Sequence, residues 1–208
     1  MPTDPKPSAT DRIRSAGVIV GPLVFISAWA VSGAVTDGYS PIRDHISDLA
    51  AVDAPTRPLM NAAFGTFGIA VAVAASPLRR LIGTPGAVLF GANALASFGI
   101  ALAPLGRSVE GDRLHAVVAG LGYLVLAATA PAAAPALAKR SRPLAVASVG
   151  VGLATLASMV ASFVGPASTA GFWQRAGITT TDTWLITIGL LAVAGYGTRT
   201  EPVIPPTR

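Results

Sequence analysis

Three stretches of this chain carry residues of the types and spacings that do acid–base chemistry. The first reads Gly38-Tyr39-Ser40-Pro41-Ile42-Arg43-Asp44-His45-Ile46-Ser47-Asp48-Leu49. Ser40 as an N-cap and Pro41 in the first turn predict a short helix over Pro41 to Ala51. On it Asp44 and Asp48 share a face at i and i+4, next to a stripe of Ile42, His45, Ile46 and Leu49. The second stretch places Asp112 and His115 at i and i+3, just before a long apolar run. The third, Gly171-Phe172-Trp173-Gln174-Arg175, supplies a cation between two tryptophans, Trp173 and Trp184.

A half-buried carboxyl beside apolar walls holds its proton above the usual carboxylate range and can donate it. Asp44 or Asp48 would then be the acid or base and His115 its partner. Arg175, Asn61, Trp173, Asp112 and His45 are the candidates for substrate contact, with Arg175 as clamp on a head group. Such an acid could protonate an olefin or epoxide and start the cyclisation of an isoprenoid. The bland alternative is structural. Arg43, Asp44 and Asp48 would solvate an interfacial helix, and His115 would bond a carbonyl or Asp112. Trp173 and Trp184 would anchor the interface, and Asn61 and Asn93 would bond helix to helix.

Metal chemistry is weaker. His45, His115, Asp48 and Asp112 are zinc-type donors in a chain without Cys. Intramembrane hydrolases of the ceramidase type bring three His, and this chain has two. No metal and no cofactor is expected. The absence of Cys also excludes disulfides and thiolate nucleophiles.

The elements that position these residues follow from composition. Of 208 residues 52% are hydrophobic and 12% charged, against about 25% charged in a soluble domain. The mean hydropathy is +0.61. Six apolar stretches are long enough, or nearly so, to cross a bilayer as helices. They are Gly17 to Val35, Leu59 to Ser76, Gly86 to Leu105, Leu114 to Ala138, Leu144 to Gly165 and Asp182 to Gly197. Pro131 and Pro135 should kink or end the fourth. The expected fold is all-α: a six-transmembrane-helix bundle, residues 12–198, with a short interfacial helix in the first outer loop. Residues 1–11 and 199–208 read as disordered cytoplasmic tails.

The net charge is +5 and the pI about 10.4, yet the basic residues form no stripe, so nucleic-acid binding is not expected. They cluster instead between apolar runs. Ten lie on one side, including Arg12, Arg14, Arg79, Arg80, Lys139, Arg140 and Arg142, and five on the other. The excess marks the cytoplasmic side and puts both termini there. Seven of ten acids, Asp182 among them, fall on the opposite side.

The order of Gly38-Tyr39-Ser40, Ile46-Ser47-Asp48-Leu49, Asn61 opening span two, His115 at the mouth of span four and Gly171 to Arg175 resembles a family. It is the bacterial membrane family known as domain of unknown function 998, and the resemblance runs from about Arg12 to Gly197. It implies a six-span bundle with Asp48, His115 and Arg175 at characteristic polar positions, and confers no activity. The resulting expectation is a multi-pass protein of the bacterial inner membrane with an outward-facing Asp/His/Arg site. Its partners would be membrane lipids and a lipid or isoprenoid substrate. The competing expectation is a lipid-binding scaffold or sensor whose polar cluster is structural.

Overall fold

The computed structural model describes residues 7–196, and no strand occurs among them. The helices are α1 (Ala9–Ser15), α2 (Gly17–Val35), α3 (Arg57–Leu102), α4 (Val109–Ala138), α5 (Arg142–Val164) and α6 (Ala170–Val193). Short 3-10 turns cover Ile46–Ala50 and Ala167–Thr169. Five helices are long and apolar enough to cross a membrane, with α1 and α2 counted as one run. Large apolar side chains such as Leu23, Leu102, Leu121 and Leu153 lie on their outer faces, half-exposed or more. That arrangement suits hydrocarbon as the surrounding solvent.

The 46 residues of α3 would make a rod of about 69 Å, over twice the bilayer core. The rod is broken at Gly83, whose φ of 75° and ψ of 171° are not helical. The two halves fold back side by side, and Ser97 Oγ in the second donates to the Phe64 carbonyl in the first at 2.8 Å. Arg79 Nε clasps the turn by donating to Thr84 Oγ1 at 3.0 Å. Only glycine takes this φ without strain, and a Cβ here would stand 3.1 Å from that of Ala136. Gly83→Ala is therefore expected to cost about 1–2 kcal/mol, read as a lower midpoint of thermal unfolding in detergent.

Helix ends follow local rules. Asp11 N–H donates to Ser8 Oγ at 3.0 Å and Ser8 N–H to Asp11 Oδ2 at 3.2 Å, a capping box that starts α1. This helix begins inside residues 1–11, expected to be a tail. The remainder of both expected tails, residues 1–6 and 199–208, lies outside the described residues. Ser108 and Ser141 cap α4 and α5.

The fourth span runs through Pro131 and Pro135 and stops at Ala138, the end expected for it, neighbouring helices supporting a proline-interrupted span. Two expectations need correction. The helix foreseen over Pro41 to Ala51 is a turn followed by a 3-10 segment over Ile46–Ala50. Asp44 Oδ2 draws in Ser40 N–H at 2.7 Å and Asp48 Oδ2 draws in His45 N–H at 2.8 Å. These side chains restart the backbone at His45 in place of one continuous helix. Most consequential, α6 starts at Ala170 and not at Asp182. The polar stretch foreseen as a loop is the first half of a span.

The helices form a ring. The first half of α3 packs on α2 through Ala70, which meets Gly21. Its second half packs on α4, where Asn93 Nδ2 donates to Thr129 Oγ1 at 2.7 Å. Next, α5 bridges α4 and α6, and α6 closes back on α2. Phe25, Phe64 and Phe67 fill the middle, with ring centroids 5.1 and 5.8 Å from Phe25. Trp184 is no interface anchor. It is buried, edge-on to Phe90, and donates from Nε1 to Ser148 Oγ at 2.9 Å.

Candidate functional site

The segment from Tyr39 to Leu49 lies across one end of the ring and is stitched to α6. Gly171 N–H donates to the Arg43 carbonyl at 3.1 Å and Phe172 N–H to the Ile42 carbonyl at 2.8 Å. Ile46 N–H donates to Gln174 Oε1 at 2.6 Å. The backbones touch closely, since a Cβ on Gly171 would stand 2.2 Å from the Asp44 carbonyl oxygen. A second loop at this end joins in: Val52 N–H donates to the Leu105 carbonyl at 2.9 Å.

Arg175 is the centre of this cap. It is 8% exposed. Its Nη1 lies 2.8 Å from the carbonyls of Pro41 and Asp44 and 3.0 Å from that of Gly171. Its Nη2 donates to the Tyr39 hydroxyl, which donates in turn to the His45 carbonyl at 2.9 Å. The guanidinium carbon sits 5.3 Å from the centroid of Trp29 and 5.4 Å from that of Tyr39. Burial pushes the Tyr39 phenol above its ordinary range, while Arg175 pulls the other way.

The rim residues are occupied in the same way. Asp44 accepts from Arg43 Nε at 2.7 Å and Nη2 at 2.9 Å. The fork holds its carboxyl below the usual carboxylate range, against a lesser effect of burial. That is the reverse of the raised acid expected for it. Asp48 is exposed and caps the 3-10 turn. Asp112 accepts from Gly106 N–H at 2.8 Å, pinning the loop before α4 rather than pairing with His115. His45 contributes its backbone to the cap, and its buried Nε2 has no partner. Trp173 stacks edge-on with Phe172 and is over a third exposed. Asn61 is half-buried on α3, with its Oδ1 unpartnered.

Beneath the cap lies a partly enclosed cavity of about 100 Å³. Phe25, Phe64, Phe67, Ile100, Leu126 and Ile178 wall it, and Ile46 and Ser47 meet it from the cap. Its polar lining is Asn93, Ser97, His115, Tyr123, Gln174 and Asp182. His115 is 6% exposed, and its Nδ1 lies 2.6 Å from the Ala103 carbonyl. A carbonyl only accepts, so Nδ1 carries the hydrogen, and in the neutral ring Nε2 is the acceptor.

Asp182 was read from sequence as an outer-loop acid. It stands twelve residues into α6, about 18 Å along the helix axis from its start. It is 0% exposed, and neither carboxyl oxygen has a hydrogen-bond partner. An ionisable side chain deep in a span marks a functional position by default. A signal for it exists in the sequence: Gln174, Ile178, Thr181, Asp182 and Leu185 recur at helical spacing on one face.

The structure thus separates the expected residues into two groups. Arg175, Asp44 and His45 meet in the cap, while His115 joins Gln174 and Asp182 in the cavity. Among the described residues no three His, Asp or Glu side chains gather as a metal site.

The ring of long apolar helices around a mostly apolar cavity with a few polar groups defines a multi-pass membrane protein. Within that class the chain belongs to the family described as "Protein of unknown function (DUF998)", whose model matches residues 19–191. No curated protein and no solved structure matches it.

Proposed function

We propose that this protein takes the polar end of a lipid or isoprenoid into the capped chamber, next to Asp182 and His115. The observation that carries this is the Asp182 carboxyl, fully buried and unpartnered, in the lining of a mostly apolar cavity. Apolar walls with a few convergent polar groups are the usual form of a small-molecule site. The space is smaller than the roughly 150 Å³ that takes a benzene ring, so it encloses a head group and its first few carbons.

In this reading the polar rim is structural and the chamber holds the chemistry. Acid–base roles pass from Asp44 and Asp48 to Asp182 and His115. Ligand binding is the function, and proton transfer to a bound olefin is an outcome that turnover assays would reveal.

The topology we infer has six spans, with the two halves of α3 each crossing once. Both termini and the turn at Gly83 are cytoplasmic, and the cap is outside a bacterial inner membrane. The basic clusters at Arg79, Arg80, Lys139, Arg140 and Arg142 support that orientation.

The test is photolabelling in nanodiscs with a diazirine analogue of farnesol. Label should map to peptides of α4 and α6 that carry His115, Tyr123 or Asp182. Ala119→Phe and Ile178→Trp, which fill the cavity, should each cut that label about tenfold or more while the thermal midpoint holds. Label confined to lipid-facing positions and unchanged in both variants would refute the chamber as a binding site.

A further inference from the structure

Resting on that reading of the chamber, the inference here concerns the head group it selects. We infer that the chamber selects a hydrogen-bond donor, the hydroxyl or amine end of an apolar chain, and rejects phosphate and carboxylate heads.

Asp182 offers two oxygens that no protein group engages. His115 has Nδ1 committed to the Ala103 carbonyl, so its remaining nitrogen accepts in the neutral ring. Asn93 has its amide nitrogen committed to Thr129 Oγ1, leaving its carbonyl oxygen. Ser97 has its hydroxyl hydrogen committed to the Phe64 carbonyl, leaving oxygen lone pairs. Gln174 and Tyr123 are the exceptions: the Gln174 oxygen is taken by Ile46 N–H, which leaves an amide donor, and the buried Tyr123 hydroxyl has no partner and brings a second. Acceptors still outnumber donors in the lining.

It also lacks a fixed cation. Among the described residues no Lys or Arg lines the cavity. Arg175 follows Gln174 directly, but its Nη atoms are spent on the carbonyls of Pro41, Asp44 and Gly171 and on Tyr39. Its Nε is buried without a partner. An anionic head placed beside Asp182 would be a buried charge without a compensating cation, which is costly. An alcohol shares a hydrogen bond with the carboxyl, and an amine takes the carboxyl's proton and pairs as ammonium with the carboxylate left behind.

The experiment is competition against diazirine-farnesol in nanodiscs with one chain and four heads: farnesol, farnesylamine, farnesyl diphosphate and farnesoic acid. The alcohol and the amine should compete at least about tenfold better than the diphosphate and the acid, the amine best. Asp182→Asn should erase the amine's advantage over the alcohol and keep alcohol binding. The inference is overturned if the diphosphate or the acid competes as well as the alcohol, or if Asp182→Asn leaves the amine preference intact. Failure of diazirine-farnesol to label the chamber at all is a separate result. It would remove the chamber as a binding site, and the head-group selection with it.

Discussion

Arg175→Ala is expected to release the cap and to cost about 3–5 kcal/mol, since several buried acceptors lose their donor at about 1–3 kcal/mol each. The loss is large because one side chain serves so many groups. The carbonyls of Pro41, Asp44 and Gly171 lose their donor, and the Tyr39 hydroxyl loses its partner. Two aromatic faces, Trp29 and Tyr39, lose their cation. The measurement is folded yield and thermal midpoint in detergent, with limited proteolysis of residues 36–56. Arg175→Lys should recover little, because one ammonium cannot reach those carbonyls and the phenol together. Wild-type stability in Arg175→Ala would show that the guanidinium is free to clamp a head group instead.

Asp182→Leu is expected to do the opposite. A fully buried carboxyl with neither oxygen engaged opposes folding. Replacing it by an apolar side chain of similar size should stabilise the ligand-free protein by about 1–3 kcal/mol, seen as a raised thermal midpoint. The same variant should lose diazirine-farnesol labelling of α4 and α6. Gain of stability with loss of binding is the signature of a residue kept for function. A lowered midpoint with labelling retained would assign Asp182 to the architecture.

These two side chains sit seven positions apart on one helix, and the sequence treats them alike. Both look like residues of an outer loop, because Gln174, Arg175, Thr179 to Thr183 and Asp182 dilute the apolar content below that of a lipid-facing span. The dilution has another cause. Gln174, Arg175, Thr181 and Asp182 are buried inside the ring, where polarity is set by the chamber and the cap, and the Thr180 and Thr183 hydroxyls bond back to carbonyls of their own helix. Apolar runs located the other spans to within a few residues, since hydrocarbon leaves little choice of side chain there. The helix expected over Pro41 to Ala51 failed on side-chain competition: Asp44 and Asp48 each capture a backbone N–H.

For the candidate site, residue types were legible and partners were not. His115 was recognisable as a buried ionisable group at a span mouth, and it does line the chamber. Arg175 was recognisable as a conspicuous cation. Nothing in local spacing could show that its partners are the Pro41 and Asp44 carbonyls, 134 and 131 residues away. The Arg43–Asp44 pair is adjacent in sequence and still reversed the acid role expected of Asp44, because two donors of one guanidinium hold it ionised.

That sequence separation matters during biogenesis. The Tyr39 to Leu49 segment leaves the ribosome long before Gly171, Gln174 and Arg175 exist. At about 5–20 residues per second it waits roughly 6–26 seconds for them. Throughout that interval Ile46 and Leu49, almost fully buried in the finished molecule, have α2 and α3 to pack on but not α6. A polypeptide truncated before α6 lacks the Gln174 and Arg175 hydrogen bonds that fix this loop, so the loop should be more open to proteases there.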